Sequence, residues 1–300
     1  MVESKKASDY VFRILNTVFL SLLTLACLYP CLYVLFASFS DPVQLYTGSK
    51  VLLWPRGFSL NAFVLVFRNP NIWRAYLNTL IYVVSGTAVG LLLSILGAFV
   101  LSRKTFPGQK FFMTMVIITM FFGGGLIATY IVMRTYGLVN TIWSQILIGS
   151  MSTYNMIMVM SYFRSIPDSL EESAELDGAS EWTILWKIFV PLSVPVIAVV
   201  ALYFIVAKWN NWMTSAIYLT NRQYYSLQLI LKEILISGNE EAAGMNTGVS
   251  GGAADYQAYS EAVKYATIVV STLPVLCCLL YTSDPAAVQR NEPPGPVLRR

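Results

Sequence analysis

Six carboxylates, Asp168, Glu171, Glu172, Glu175, Asp177 and Glu181, crowd into a short polar stretch between two strongly apolar segments. Clustered acids can share a proton or hold a cation, but here both roles lack their usual partners. The chain has no histidine, which removes a common metal ligand and the side chain that titrates near neutral pH. Its four cysteines, Cys27 and Cys31 near one end and Cys277 and Cys278 near the other, outline neither a metal set nor a disulfide framework. No Gly-x-x-x-x-Gly-Lys-Ser/Thr segment is present, so the chain is not expected to bind ATP. Nor is there a His-based dyad or a pair of membrane aspartates for hydrolysis within a bilayer. The acids sit instead in a compact polar stretch of a kind that another protein can grip.

Local signals dictate how such a knob is built. Ser165-Ile166-Pro167-Asp168 fits a capping box, with the Ser165 hydroxyl accepting from the Asp168 amide, and predicts a helix start. Pro167 falls in the first turn, where its missing donor is harmless. Asp168, Glu171 and Glu172 place negative charge at the positive end of the helix dipole. Gly178 offers the left-handed conformation that ends a helix, and Ser180 can cap the next one. The expected product is a short helix, a tight turn and a second helix that runs through Trp182 and Trp186 into apolar sequence.

The chain that must position these elements is 56% apolar and 12% charged, against about 25% charged in a soluble protein. That composition excludes a single water-facing globule. A bilayer core about 30 Å thick needs about 20 apolar residues per helix. Six stretches qualify: residues 11–39, 75–101, 109–133, 141–163, 186–209 and 262–281. Lipid leaves an open backbone no alternative, so all six are expected as helices. Ser85-Gly86-Thr87 in the second and Gly123-Gly124-Gly125 in the third suit helices packed on protein. Lys5, Lys6 and Arg13 flank the start of the first span, and Arg103, Lys104 and Lys110 crowd the turn after the second; both regions are therefore expected in the cytoplasm. Six crossings then return both termini and the acidic stretch to the same side. Lys5-Lys6 mimics a signal peptide, but the following run is too long and lacks a clean cleavage site, so it is expected to be retained. The net charge of +4 gives no support for nucleic-acid binding.

Glu172, Ala174, Gly178, Ile188 and Pro191 stand in the spacing Glu-Ala-Ala, three residues, Gly, nine residues, Ile, one residue, Leu-Pro, with Ser173 and Val190 as the departures. This resembles the coupling loop of ATP-binding-cassette (ABC) importer permeases. Met120-Phe121-Phe122-Gly123-Gly124-Gly125-Leu126-Ile127-Ala128-Thr129-Tyr130, Tyr136-Gly137-Leu138 and Trp209-Asn210-Asn211-Trp212 are similar to the carbohydrate branch. Within it, the likeness is to permeases for oligosaccharides and modified sugars, related to the smaller maltose-permease subunit. Ala128 stands where that family usually has proline, which leaves the local helix geometry open.

The resemblance implies an all-α membrane protein with six transmembrane helices, a MetI-like type I permease fold and a cytoplasmic coupling helix. The implied order is a cytoplasmic tail (1–10), a first helix (11–39), an external loop (40–74) and a permease core (75–281) holding the coupling loop 164–185 and the external loop 210–261. It implies a non-catalytic subunit of the bacterial cytoplasmic membrane that forms half of a sugar pathway. Its partners would be a second homologous permease in a heterodimer, two ATPase subunits that bind ATP and Mg, and an extracytoplasmic sugar-binding protein. No cofactor or metal is implied for this chain itself. Glu171, Glu172, Ala174, Asp177, Gly178, Ala179, Ile188 and Pro191 would serve ATPase coupling, with Leu170 and Leu176 adding apolar contacts to the ATPase cleft.

Gly123, Gly124, Gly125, Thr129, Tyr130, Asn155, Trp209, Asn210 and Asn211 are candidates for the translocation path, together with Tyr154. Bare glycine backbone suits a cavity wall, although close helix packing explains it equally well. Aromatic faces and amides suit a sugar, although aromatic residues also populate membrane interfaces. Gly238, Gly244, Gly248, Gly251 and Gly252 fall in the loop that, in the related maltose permease, enters the binding protein; a disordered surface loop is the alternative. An ion-coupled carrier would normally carry acids at membrane depth, and none of the sixteen acidic residues falls well inside a span. An importer of a non-sugar solute remains the other alternative. Residues 282–300, with Pro285, Pro293, Pro294 and Pro296, look unrelated to the rest and are expected to be frameshifted or appended sequence.

Overall fold

The computed structural model describes residues 7–49, 51–103, 106–237 and 253–282. The loop holding Gly238, Gly244, Gly248, Gly251 and Gly252 lies outside them, as does the end of the chain from residue 283. Among the described residues the secondary structure is helical, apart from one antiparallel bridge between Ser40 and Phe58. Helix α1 (Ala7–Ser38) precedes the short α2 (Pro42–Thr47) and α3 (Asn61–Arg68), and α4 (Pro70–Ser102) follows. The third apolar stretch holds α5 (Gln109–Phe121) and α6 (Gly125–Thr135), the fourth α7 (Ile142–Leu147) and α8 (Thr153–Phe163). Beyond the acidic helix α9 (Asp168–Leu176) come α10 (Glu181–Leu192), α11 (Val194–Trp209), α12 (Trp212–Tyr218), α13 (Leu227–Ser237) and α14 (Ala253–Thr282).

Three of the six expected helices are broken, each for a local reason. Among the described residues, Phe12–Ser38 and Pro70–Ser102 are long and apolar enough to cross a membrane alone; two bent pairs raise the number to four if each is one span. The α5–α6 pair bends by 110°, with Phe122 extended and Gly125 at φ +74°. That left-handed conformation costs an L-residue about 1–2 kcal/mol. A Cβ on Gly123 or Gly125 would meet nothing within 4 Å, so within this chain the triplet serves the turn and not a close helix crossing. Gly149 at φ +73° separates α7 from α8, and Ser152 caps α8 by accepting from the Asn155 amide. The α10–α11 pair bends by 82° at Ser193, between Pro191 and Pro195. Pro195 has no amide to return to the Pro191 carbonyl, which removes a rung of the helical ladder. A π turn at Leu185–Phe189 widens α10 just ahead of that break.

Two compact units divide the chain. In the first, drawn from Met1–Pro70 and Glu233–Thr272, α1 leaves its apolar side chains uncovered: Phe12, Leu15, Phe19 and Leu22 are all more than half exposed. The chain then folds back at Ser40, whose hydroxyl donates to the Phe36 carbonyl and accepts from the Arg56 amide. Asp41 caps α2, and Phe39 packs on Phe58 and Phe63. Tyr33 meets Tyr265 of α14 edge-on.

In the second unit, drawn from Asn71–Lys232 and Leu273–Arg300, helices α4, α8, α10 and α11 enclose a core built around Phe99, Met156, Met160, Phe163, Ile184, Leu185, Phe189 and Phe204. Within a bilayer such side chains associate by close packing and dispersion contacts and not by escape from water. Ala174, Ala179 and Ile188 pack against this core, which seats the acidic knob directly on the apolar helices. At another part of the unit, Asn78, Thr79 and Tyr82 of α4 hold residues 223–227 by hydrogen bonds to main-chain groups.

Candidate functional site

The knob consists of α9, a tight turn and α10. Ser165 does not cap α9 as the sequence predicts: its hydroxyl donates to the Tyr162 carbonyl at 2.6 Å. Pro167 takes the N-cap position and has no side-chain acceptor for the first amides. The capping pattern lost to an orphan carbonyl at the end of the preceding helix, α8. Asp168 and Glu171 still occupy the first turn of α9, beside its positive end. At the other end Gly178 adopts φ +77°, its amide donating to the Glu175 carbonyl while the Ala179 amide reaches Ala174, both at 2.9 Å. These crossed bonds are a left-handed helix cap. Ser180 caps α10 by accepting from the Thr183 amide at 3.3 Å, as its position predicts.

The structure divides the expected coupling residues. Glu172, Asp177, Gly178 and Pro191 are exposed, as are Leu170 and, at 89%, Leu176. Ala174, Ala179 and Ile188 instead turn onto the core. Glu171 points inward to Arg103, which lies just past the end of α4. The Arg103 guanidinium pairs with Glu171 and Glu175 of α9 and with Glu181 of α10, the Glu175 contact being 3.7 Å. It also lies over the Phe99 ring, 4.6 Å from its centroid. Nearby, the Leu101 carbonyl at the end of α4 accepts from Gln109 Nε2 at 2.7 Å and Arg164 Nη2 at 3.1 Å. Gln109 and Arg164 line an open cleft of about 560 Å³ with Asp168, Glu171 and Glu172. In the sequence Arg103 is only an orienting charge, because nothing in its spacing links it to acids far along the chain.

Lys208, in the last turn of α11, is a second residue that sequence reasoning missed. It is 8% exposed. Its ammonium donates to the carbonyls of Gln145, Ile146 and Ile148 at 2.7–2.9 Å, with Ser150 Oγ at 3.4 Å. Those carbonyls lie at and just beyond the C-terminal end of α7, where the helix dipole is negative. Gly86 of α4 leaves room for the lysine stem, since a Cβ there would stand 2.7 Å from Lys208 Cε. A lysine closing an apolar run resembles an interfacial anchor, so only the fold reveals its burial.

The path candidates separate by role. Gly123, Gly124 and Gly125 form the α5–α6 bend, and Thr129 is exposed, its hydroxyl donating to the Gly125 carbonyl at 2.8 Å. Tyr130 packs beside Tyr218. Asn155 and Trp209 are buried, Trp209 lying edge-on to Tyr76. Asn210 is exposed, whereas the Asn211 side-chain oxygen Oδ1 caps α12, accepting from the amide and hydroxyl of Thr214.

Comparison with known proteins fits this architecture. Residues 86–281 match the family described as binding-protein-dependent transport system inner membrane component. A polygalacturonan/rhamnogalacturonan transport system permease protein of Bacillus subtilis is 36% identical over 266 residues, 89% of this chain and 91% of the relative. A diacetylchitobiose uptake system permease protein of Streptomyces coelicolor is 26% identical over 217 residues, 71% of each chain. A chain of a bacterial ABC transporter involved in import of the acidic polysaccharide alginate superposes with a TM-score of 0.84 at 30% identity, covering 96% of this chain and 99% of that one. A chain of the alginate transporter in complex with its pentasaccharide-bound periplasmic protein shares the fold alone, with a TM-score of 0.56 at 17% identity over 92% of this chain and 95% of that one. The protein, helical among its described residues, is therefore a multi-pass membrane protein, and it belongs to the binding-protein-dependent transport system inner membrane components, the non-catalytic MetI-like permease subunits of ABC transporters.

Proposed function

We propose that this chain forms half of the translocation pathway of an ATP-driven carbohydrate importer and receives the power stroke through α9 and the turn at Gly178. The observation that carries this reading is the knob itself. Its outer residues Glu172, Asp177 and Leu176 are exposed, while Ala174, Ala179 and Ile188 fasten its inner side to the core of membrane helices. A force applied to the outer side is thus delivered to α10 and onward to α11.

In this reading the chain crosses the membrane six times with both termini and the knob in the cytoplasm, the spans being α1, α4, the two bent pairs, α7 with α8, and α14. It pairs with a second homologous permease, and two ATPase subunits carry ATP and Mg. A sugar-binding protein delivers cargo from outside. The similar proteins that handle polygalacturonan/rhamnogalacturonan and the acidic polysaccharide alginate make an acidic oligosaccharide the first cargo to test. ATPase stimulation by binding protein loaded with acidic, but not neutral, oligosaccharide is the expected result; a response to non-sugar solutes alone would overturn the carbohydrate assignment.

Gly178→Pro forces φ near −65° onto a backbone at +77°, and Glu172→Lys reverses an exposed charge. In membranes holding the complete complex, each is expected to lower solute uptake per ATP hydrolysed about tenfold, with the chain still inserted. Normal coupling in both would contradict the assignment.

A further inference from the structure

Arg103 brings together carboxylates that the sequence keeps apart. Glu171 and Glu175 are four residues apart on α9 and so share a face, while Glu181 opens α10 on the far side of the Gly178 turn. All three meet one guanidinium. The Arg103 side chain is 11% exposed and Glu171 23%, against 53% for Glu175 and 66% for Glu181. The Glu171 pair is therefore the most shielded from water and salt, and the outer two pairs are weak by themselves. The guanidinium also rests between Phe99 of α4 and Phe189 of α10, 4.6 and 5.7 Å from their centroids. Phe99 and Phe189 in turn meet edge-on at 5.3 Å. This shelf fixes where the charge sits, and α9 and α10 are tied by it to the end of α4.

We propose that Arg103 is a positioning residue for energy coupling: it locks both arms of the knob to α4, so that a push on α9 moves the helices as one body and does not dissipate by flexing the turn at Gly178. The inference rests on the coupling role proposed above.

Arg103→Met keeps an apolar stem to cover the Phe99 and Phe189 rings and removes the charge with its N–H donors. Compared in the reconstituted complex with its binding protein, it is expected to retain its ATPase subunits while solute imported per ATP falls about fivefold or more. Arg103→Lys, which cannot fork between carboxylates, falls between the two. Glu181→Gln, which frees α10 and leaves Arg103 paired with α9, lowers the ratio by less. A wild-type ratio in Arg103→Met overturns the inference. If Arg103→Met fails to accumulate, Arg103→Lys and Glu181→Gln decide: at normal level, a lowered ratio supports the lock, and a wild-type ratio in both overturns it. Glu172→Lys, measured alongside, separates the two claims. Uncoupling there with normal coupling in Arg103→Met removes only the lock; normal coupling in Glu172→Lys removes the role on which it rests.

Discussion

Gly178 and Gly125 are glycines because of backbone angle and not because of crowding. Both have φ above +70°, and a Cβ on either would meet nothing within 4 Å. Gly125→Ala is accordingly expected to lower unfolding stability in detergent by about 1–2 kcal/mol, whereas Gly123→Ala should leave it nearly unchanged; equal effects would contradict the account of the bend. Lys208 presents the opposite case, a residue defined by its surroundings. Lys208→Met strips the donor from three carbonyls and is expected to cost about 1–3 kcal/mol. Lys208→Arg should not rescue it, because the oxygen cage fits a compact ammonium and the lysine stem already lies against the backbone of Gly86. Recovery of the melting temperature in Lys208→Arg would show that charge alone matters. Residues whose role is set within a few positions, such as Gly178 and Ser180, were legible in the sequence. Arg103 and Lys208 were not, because their partners arrive through tertiary packing, and Ser165 was misread because its pattern ignores a competing carbonyl.

At the level of elements, apolar runs announce that a helix is present but not that it is whole. The breaks in the third and fifth stretches were signalled by Gly123-Gly124-Gly125 and by Pro191 and Pro195, yet hydropathy averages over such residues. The fifth stretch matters most, because α10 is one arm of the knob and α11 carries Lys208 at its far end. Pro195→Ala returns an amide to the helical ladder across Ser193 and is expected to raise or preserve thermal stability while lowering uptake, a trade of function for regularity. Unchanged uptake with raised stability would show that the 82° bend has no part in transport.

Over the whole molecule, the membrane class followed from composition alone, since 12% charged residues cannot clothe a soluble surface of this size. The uncovered side chains of α1 agree: none of the residues in its most apolar window is buried by the chain itself, so lipid or another subunit must cover them. The binding-protein contact expected at Gly238 to Gly252 stays an expectation from resemblance, because these residues lie outside the described ones. What the sequence could not supply is how the knob is fastened, which needed α4, α9 and α10 in place. The most direct measurement is affinity purification of the tagged chain from native membranes in mild detergent, with co-purifying proteins identified and ATP hydrolysis followed as sugar-loaded binding protein is added. A second permease and ATPase subunits should be recovered, with hydrolysis rising on addition of the loaded binding protein. A folded chain that purifies alone and moves solute without ATP would contradict the account.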